Sequence, residues 1–355
     1  GDIPSLEVPE TLHGLVASRL DGLPAEERRL LQDAAVLGKT FARDGLAAIS
    51  GVPSEELEPP LRSLVRKEIL GVQSDPTSPE HGQYGFLQDL VRHVAYETLS
   101  KKERRTRHLA AAAYLEEAFA GEDEIAEVIA SHFVSAFETA PEAPDAPEVK
   151  AKAQATLIRA ADRAGALGAA TEAQRYLQQA ADLADGDSER AELIMRAGWL
   201  AGVYAGDIDL AERLTAEAVS LYQSAGDARA AARASGQLAR FEWQQGRRTE
   251  AMERAERAFE VVASDEPDAV QAGLAEQVAT GYAYMADLDR AEERIDYALG
   301  IAEALVLPDV LTRGFVIKSQ IAIGRGRPEE SGAFLEHGLE LALEHEQWEQ
   351  MSRIY

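Results

Sequence analysis

The chain has 355 residues, no cysteine and no asparagine, and carries 62 acidic against 36 basic side chains, a formal net charge of −26. Such an excess of carboxylates repels phosphate backbones, so nonspecific nucleic-acid binding is not expected. Without thiols there is no disulfide framework and no thiolate metal site, which fits a reducing cytoplasm, and no run approaches the roughly 18 apolar residues of a membrane helix.

The opening Gly1-Asp2 leads into neither a basic nor an apolar signal region. Without an initial Met, the sequence reads as an excised piece of a longer one. Its acidity is uneven: about 14 basic stand against 19 acidic residues up to position 120, and about 22 against 43 beyond it. Pro9 to Leu20 has apolar residues at Leu12, Leu15, Val16 and Leu20, a helical spacing. Pro24 opens a second helix, to about Leu37, that stops at Gly38. A short helix over Asp44 to Ile49 ends at Ser50-Gly51. Ser54 with Glu55-Glu56 then reads as the capped start of a third helix reaching about Ile69, despite Pro59-Pro60 near its beginning. From Gly71 to Phe86, two short apolar ends flank a turn-rich middle, which predicts a β-hairpin with a long tip. Three helices followed by a hairpin is the order of a winged helix. Helices over Asp89–Leu99, Lys102–Phe119 and Glu124–Phe137 come next, and the proline-bearing stretch from Thr139 to Pro147 reads as a surface linker.

Beyond about Val149 one pattern recurs. Gly168, Gly206, Gly246, Ala286 and Gly326 are each followed five residues later by Ala173, Ala211, Ala251, Ala291 or Ser331. Seven residues further stand Ala180, Ala218, Ala258, Ala298 and Gly338. The starts are about 38 to 40 residues apart, long enough for two helices and a turn. First helices are predicted over Arg190–Tyr204, Arg229–Gln244, Val270–Tyr284 and Pro308–Ile323, and a second helix, for example, over Leu210–Tyr222. Antiparallel helices approach within about 8–10 Å, and small residues at the closest points supply the room. A large side chain forced in there would cost on the order of 1–3 kcal/mol. The stretch from Glu346 to Tyr355, with Trp348, Met351 and Ile354, looks like a first helix lacking its partner, so the solenoid is expected to continue.

Over about 200 residues this pattern resembles the tetratricopeptide repeat family. Small-residue positions match well, whereas the aromatic positions of the first helix are only partly kept, with Trp199 and Tyr282 where the family often has Gly or Tyr. The segment from Tyr84 through Phe86-Leu-Gln-Asp-Leu-Val-Arg-His93 to His108 resembles the region after the wing in signal-transduction ATPases of the STAND class. Val8-Pro-Glu-Thr-Leu12, Arg19-Leu-Asp-Gly-Leu23 and Leu31 to Gly38 resemble the passage from the ATPase lid into the winged helix. The wording is most similar to actinobacterial proteins joining a class III nucleotide cyclase, the ATPase and repeats; LuxR-type transcription regulators compete. Where many relatives carry His this chain has Gln88, so no role of that His transfers.

The resemblance implies an all-α fold: a superhelix of tetratricopeptide-like repeats preceded by a small winged-helix domain with one β-hairpin. Its segments would be the end of an ATPase lid helix over 1–22, a winged-helix-like domain over 23–120, a connecting helix and Pro-rich linker over 121–147, and about five repeats with a truncated sixth over 148–355. The P-loop pattern GxxxxGK[ST] and a Walker-B aspartate are missing, so neither ATP hydrolysis nor cyclic-nucleotide synthesis is expected of this piece. No catalytic residue, cofactor or metal site is expected. The seven histidines make no HExxH, and His93 and His108 read as structural. Carboxylates sit near arginines on helix faces, as in Glu250–Arg254, and read as solvated. Met195, Met252, Met285 and Met351 read as core fillers. On the third helix Arg62, Arg66 and Lys67 raise the question of DNA, but the wing from Gly71 to Gly85 has no Lys or Arg and carries Asp75 and Glu80.

The remaining hypothesis concerns a groove. If the first helices line the concave side, counting back from the turn residues places Arg196, Tyr204, Arg233, Arg240, Trp243, Gln244, Glu276, Tyr284, Arg313 and Gln320 along it. Four arginines and three aromatics among them fit an acidic or aromatic ligand; ordinary exposed helix positions would look the same. With no asparagine, an Asn-based carboxylate clamp is excluded. The expected partner is a protein, a peptide or a small ligand on the repeats, with the parent ATPase module as an intramolecular one. A module that makes the parent homo-oligomeric through its acidic surfaces is the competing class.

Overall fold

The structure, a computed structural model, describes residues 10–73 and 82–345. The chain divides into two compact units, Gly1–Ala166 and Leu167–Tyr355.

In the first unit the described elements are α1 (Glu10–Asp21), α2 (Ala25–Leu37), β1 (Thr40–Phe41), α3 (Arg43–Ser50), α4 (Glu58–Arg66), β2 (Leu70–Val72), β3 (Tyr84–Phe86), α5 (Asp89–Glu97), α6 (Lys101–Ala118), α7 (Ala126–Thr139) and α8 (Ala146–Ala166). Both ends of the expected hairpin pair antiparallel, Leu70 opposite Phe86 and Val72 opposite Tyr84. The middle of its tip, 74–81, lies outside the described residues. A third strand, β1, joins the free edge of β3 to give the order β1-β3-β2. Two residues are too few to show alternation, so the sequence pattern left β1 unread. Phe41 explains its place: the ring packs on Tyr84 and Phe86, with centroids 6.1 and 6.2 Å away. Leu31, Leu46, Leu57, Leu61 and Leu64 fill the core beside it, all fully buried.

The third helix differs from expectation at both ends. Ser54–Leu57 is a single 3-10 turn, and α4 begins only at Glu58, with its prolines in the first turn, where an absent N–H is harmless. Ser54 does not cap it; its hydroxyl donates to Asp44 at 2.7 Å. The helix stops at Arg66 rather than Ile69, because Glu68 turns into the left-handed region at φ 55°. Arg62 donates to Glu58 at 2.7 Å and Lys67 pairs with Glu27, so two of the three basic residues weighed against phosphates are held in ion pairs.

His108 on α6 and His132 on α7 are buried against each other, Nδ1 to Nδ1 at 2.9 Å. His108 Nε2 meets the Tyr96 hydroxyl at 2.9 Å, while His132 Nε2 has no partner among the described residues. Burial lowers both rings, His108 to about 3 with help from the neighbouring His132, and His132 to about 4. His93, by contrast, is exposed and pairs with Glu97 at 3.1 Å.

The second unit is a run of helical hairpins: α9 (Ala170–Asp182), α10 (Asp187–Trp199), α11 (Ile208–Ser224), α12 (Ala228–Gln244), α13 (Arg248–Val262), α14 (Ala269–Tyr284), α15 (Leu288–Leu305), α16 (Pro308–Gly324) and α17 (Pro328–Glu344). The ten recurring small residues on the second helices are all buried; Ala173, Ala180, Ala211, Ala218, Ala291 and Ala298 are at 0% exposure. The fold is therefore an all-α repeat superhelix held by close helix approach. The expected unpaired helix over 346–355 lies outside the described residues.

The turns share one backbone conformation. Gly168, Gly206, Gly246 and Gly326 take φ 76°, 73°, 83° and 71°, and Ala286 takes 62°. The next N–H folds back onto the last turn of the preceding helix, Asp207 to the Ala201 carbonyl at 2.8 Å and Asp287 to the Tyr282 carbonyl at 3.0 Å, closing that helix. Those same aspartates cap the following helix by accepting from Leu210 and Arg290. At these two positions a three-residue turn thus ends one helix and starts the next.

One first helix is not uniform. The α-helical stretch expected to reach Tyr204 stops at Trp199 and continues as a π-turn, Leu200–Tyr204, with the Ala205 N–H bonded to Leu200 O at 3.0 Å. Gly202 lies there against the fully buried ring of Phe241, and a Cβ at this position would strike it and Ala211.

Two outcomes are expected. Replacing Ala286 by Gly should raise unfolding stability by about 1 kcal/mol, and Gly246→Ala should lower it by a similar amount, since only glycine takes the left-handed turn without steric cost; urea denaturation reads both. Two histidines held neutral when folded must stay unprotonated while the unfolded chain binds protons, so stability is unaffected above pH 6.5 and falls as pH drops from 6.5 towards 4. Urea midpoints at pH 7.5 and 4.5 should show this fall, and a His132→Phe chain should show less of it.

Candidate functional site

In the second unit, the first helices of successive repeats pack on one another, α12 on α14 and α14 on α16. Between them opens a cavity of about 270 Å³. Its apolar floor comes from Ala251, Met252 and Ala255 on α13 with Gly281 on α14. Here the small residues that let α13 approach also leave the space unfilled. A Cβ at Gly281 would collide with the Met252 sulfur, so glycine at that position lets the thioether lie flat under the cavity.

Six of the ten sequence-selected residues meet here: Arg240, Trp243 and Gln244 from α12, Glu276 and Tyr284 from α14, and Arg313 from α16. The Trp243 and Tyr284 rings lie 6.0 Å apart at 47°, and the Arg248 guanidinium stands 5.6 Å from the Trp243 ring centre. Arg240 sits 5.3 Å from the centre of the Trp199 ring. Glu276 is 5% exposed; its carboxylate accepts from Arg313 Nε at 3.2 Å, while the Thr280 hydroxyl stands 2.9 Å from the Glu276 backbone carbonyl and 3.1 Å from the second carboxylate oxygen. Gln277 donates to the Gly236 carbonyl at 2.7 Å, joining α14 to α12.

The other four lie elsewhere. Arg233 is bound into a cluster with Glu192 and the Tyr222 hydroxyl, which itself donates to Glu192 at 2.7 Å. Burial would raise the Glu192 carboxyl, but the hydrogen bonds from Arg233 and Tyr222 prevail and hold it below its ordinary value. Burial and the same carboxylate push the Tyr222 hydroxyl up. Arg196 is half-buried near Glu192, Tyr204 is 60% exposed on the π-turn, and Gln320 is half-buried on α16.

Sequence reasoning missed Met252, Gln277 and Thr280. Thr280 was within reach, because it stands 40 residues from both Arg240 and Gln320 and so shares their register. Met252 gave no signal beyond that of a core filler, and it is one, since it belongs to the buried cluster as well as to the cavity floor. Among the cavity-lining residues Arg240 and Arg313 are cationic and Glu276 is anionic.

No family model matches the sequence, and no curated protein matches it. Among solved structures, the aspartyl phosphate phosphatase F of Bacillus subtilis is 10% identical, with 100% of this chain and 80% of that one aligned at a TM-score of 0.51. The Rap conjugation gene regulator of plasmid pLS20, solved with the Phr* peptide, is 13% identical over 72% of this chain and 73% of that one, also at 0.51. A STAND protein with a tetratricopeptide repeat sensor from Pyrococcus horikoshii aligns at 16% identity and a TM-score of 0.45; all of this chain spans 55% of it. At these identities the likeness shows the fold alone, an all-α repeat superhelix.

Proposed function

We propose that this chain is a non-catalytic regulatory sensor, in which the repeats hold a protein, peptide or small ligand in the cavity between α12, α14 and α16. The observation that carries this reading is the convergence of Arg240, Trp243, Gln244, Glu276, Tyr284 and Arg313 on one concave space with an apolar floor. A peptide bound to the pLS20 regulator, of similar fold, supports it. In this reading α2, α3, α4 and the β1-β3-β2 sheet of the first unit form a winged helix, and the resemblance from Tyr84 to His108 supports a STAND-type parent. Its task would be to relay the state of the repeats to a nucleotide-binding module of the parent protein.

Panning a random peptide display library on the immobilised chain tests the first step. Enriched peptides should bind the chain carrying Arg240→Ala and Trp243→Ala at least about tenfold more weakly, the loss typical of aromatic and arginine anchors. Its circular dichroism and urea midpoint should match those of the unaltered chain. Equal retention by the double variant overturns the proposal.

A further inference from the structure

We infer that the occupant of this cavity presents a carboxylate to Arg313 beside an aromatic ring seated on Trp243 and Tyr284. This rests on the cavity being the binding site proposed above and adds the chemical class it takes: an arylalkyl carboxylate.

The argument begins with Glu276. Its side chain is 6% exposed, and one carboxylate oxygen accepts from Arg313 Nε; the other stands 3.1 Å from the Thr280 hydroxyl, whose shorter contact, 2.9 Å, is with the Glu276 backbone carbonyl. A buried carboxylate whose charge is already paired with a guanidinium is not an open receptor for a ligand cation. Its effect is on Arg313, whose side chain is 23% exposed and lines the cavity. Fixing a guanidinium through Nε sets its plane, and the two terminal nitrogens of Arg313 have no partner among the described residues. Parallel N–H donors held in one plane match the two oxygens of a carboxylate, and the ordering cost is already met by the contact with Glu276.

Charge and shape agree. The lining residues carry two arginines against one glutamate, in a unit otherwise rich in acids. An aromatic wall can also attract cations, but the Trp243 ring already has the Arg248 guanidinium against it. At about 270 Å³ the space is slightly below the range of roughly 300–1,000 Å³ usual for drug-sized ligands, and suits one ring with its acid group.

Three probes with the same ring separate the possibilities: phenylacetate, phenylacetamide and phenethylamine. Binding is followed by the indole N–H shift of Trp243 in the full chain, at about 0.3 M salt to screen its overall negative field. Phenylacetate should bind about tenfold more tightly than the amide, and phenethylamine most weakly. Arg313→Gln should abolish the preference for the acid while leaving amide binding intact, and Glu276→Gln should reduce that preference. N-acetyl-phenylalanine identifies the source: tighter binding than phenylacetate places the acid at a peptide C terminus, equal or weaker binding places it on a small molecule. Equal binding of acid and amide that still requires Trp243, or a preference for the amine, overturns the inference and leaves the cavity as a binding site. Absence of binding by all four probes overturns the inference, while the peptide panning described above decides the cavity as a binding site.

Discussion

Close contact between helices, made feasible by alanine and glycine, is the constraint on which this molecule depends. At 0% exposure Ala211, Ala218, Ala291 and Ala298 contribute little transfer energy of their own. Their contribution is to let larger neighbours such as Phe241, Ile295 and Tyr282 bury their surfaces across the hairpin. The short turns serve the same end, since a left-handed residue, followed in two of the five by a capping aspartate, reverses the chain without a loop that would separate the helices. Packing of this kind is local, each repeat touching mainly its neighbours, and it gives solenoids their one-dimensional stability.

The cavity is a by-product of the same rule. Where α13 offers Ala251 and Ala255 and α14 offers Gly281, small side chains permit approach but cannot fill the space between α12 and α14. Polar groups then gather around an apolar floor, and the ion pair between Glu276 and Arg313 joins α14 to α16 across it. Elsewhere the arginines are engaged in structural networks: Arg254 forks onto the buried Glu242 with two bonds of 2.9 Å, and Arg233 is held by Glu192 and Tyr222. In the candidate site Arg313 is held through Nε, with its two terminal nitrogens without a partner among the described residues.

Much of this architecture is legible in the residues, for physical reasons. Close-contact positions must be small and must recur, so the series from Ala173 to Gly338 announces the repeats by spacing alone. Short elements are illegible: Thr40-Phe41 has no room for alternation, and only the aromatic stacking of Phe41 in three dimensions defines it as a strand. Ser54 shows a polar side chain with two local options, where Asp44 won over the helix end. The site is legible in part because a fixed register of 40 residues places equivalent side chains on one face. Arg196 keeps that spacing but stands on α10, outside the three helices that wall the cavity, and before a π-turn whose extra residue rotates the two flanking stretches of helix by about 100° relative to each other. Nothing in Leu200–Tyr204 advertises such a widening except Gly202, whose reason is the distant ring of Phe241.

Because the cavity draws its walls from three successive first helices, α12, α14 and α16, it bridges two inter-repeat joints at once. Unravelling that runs through these repeats of a nearest-neighbour stack has to pull those joints apart in turn. A guest lodged between them acts as a wedge in a zipper, setting how far unravelling runs and how stiffly the coil behaves as a spring.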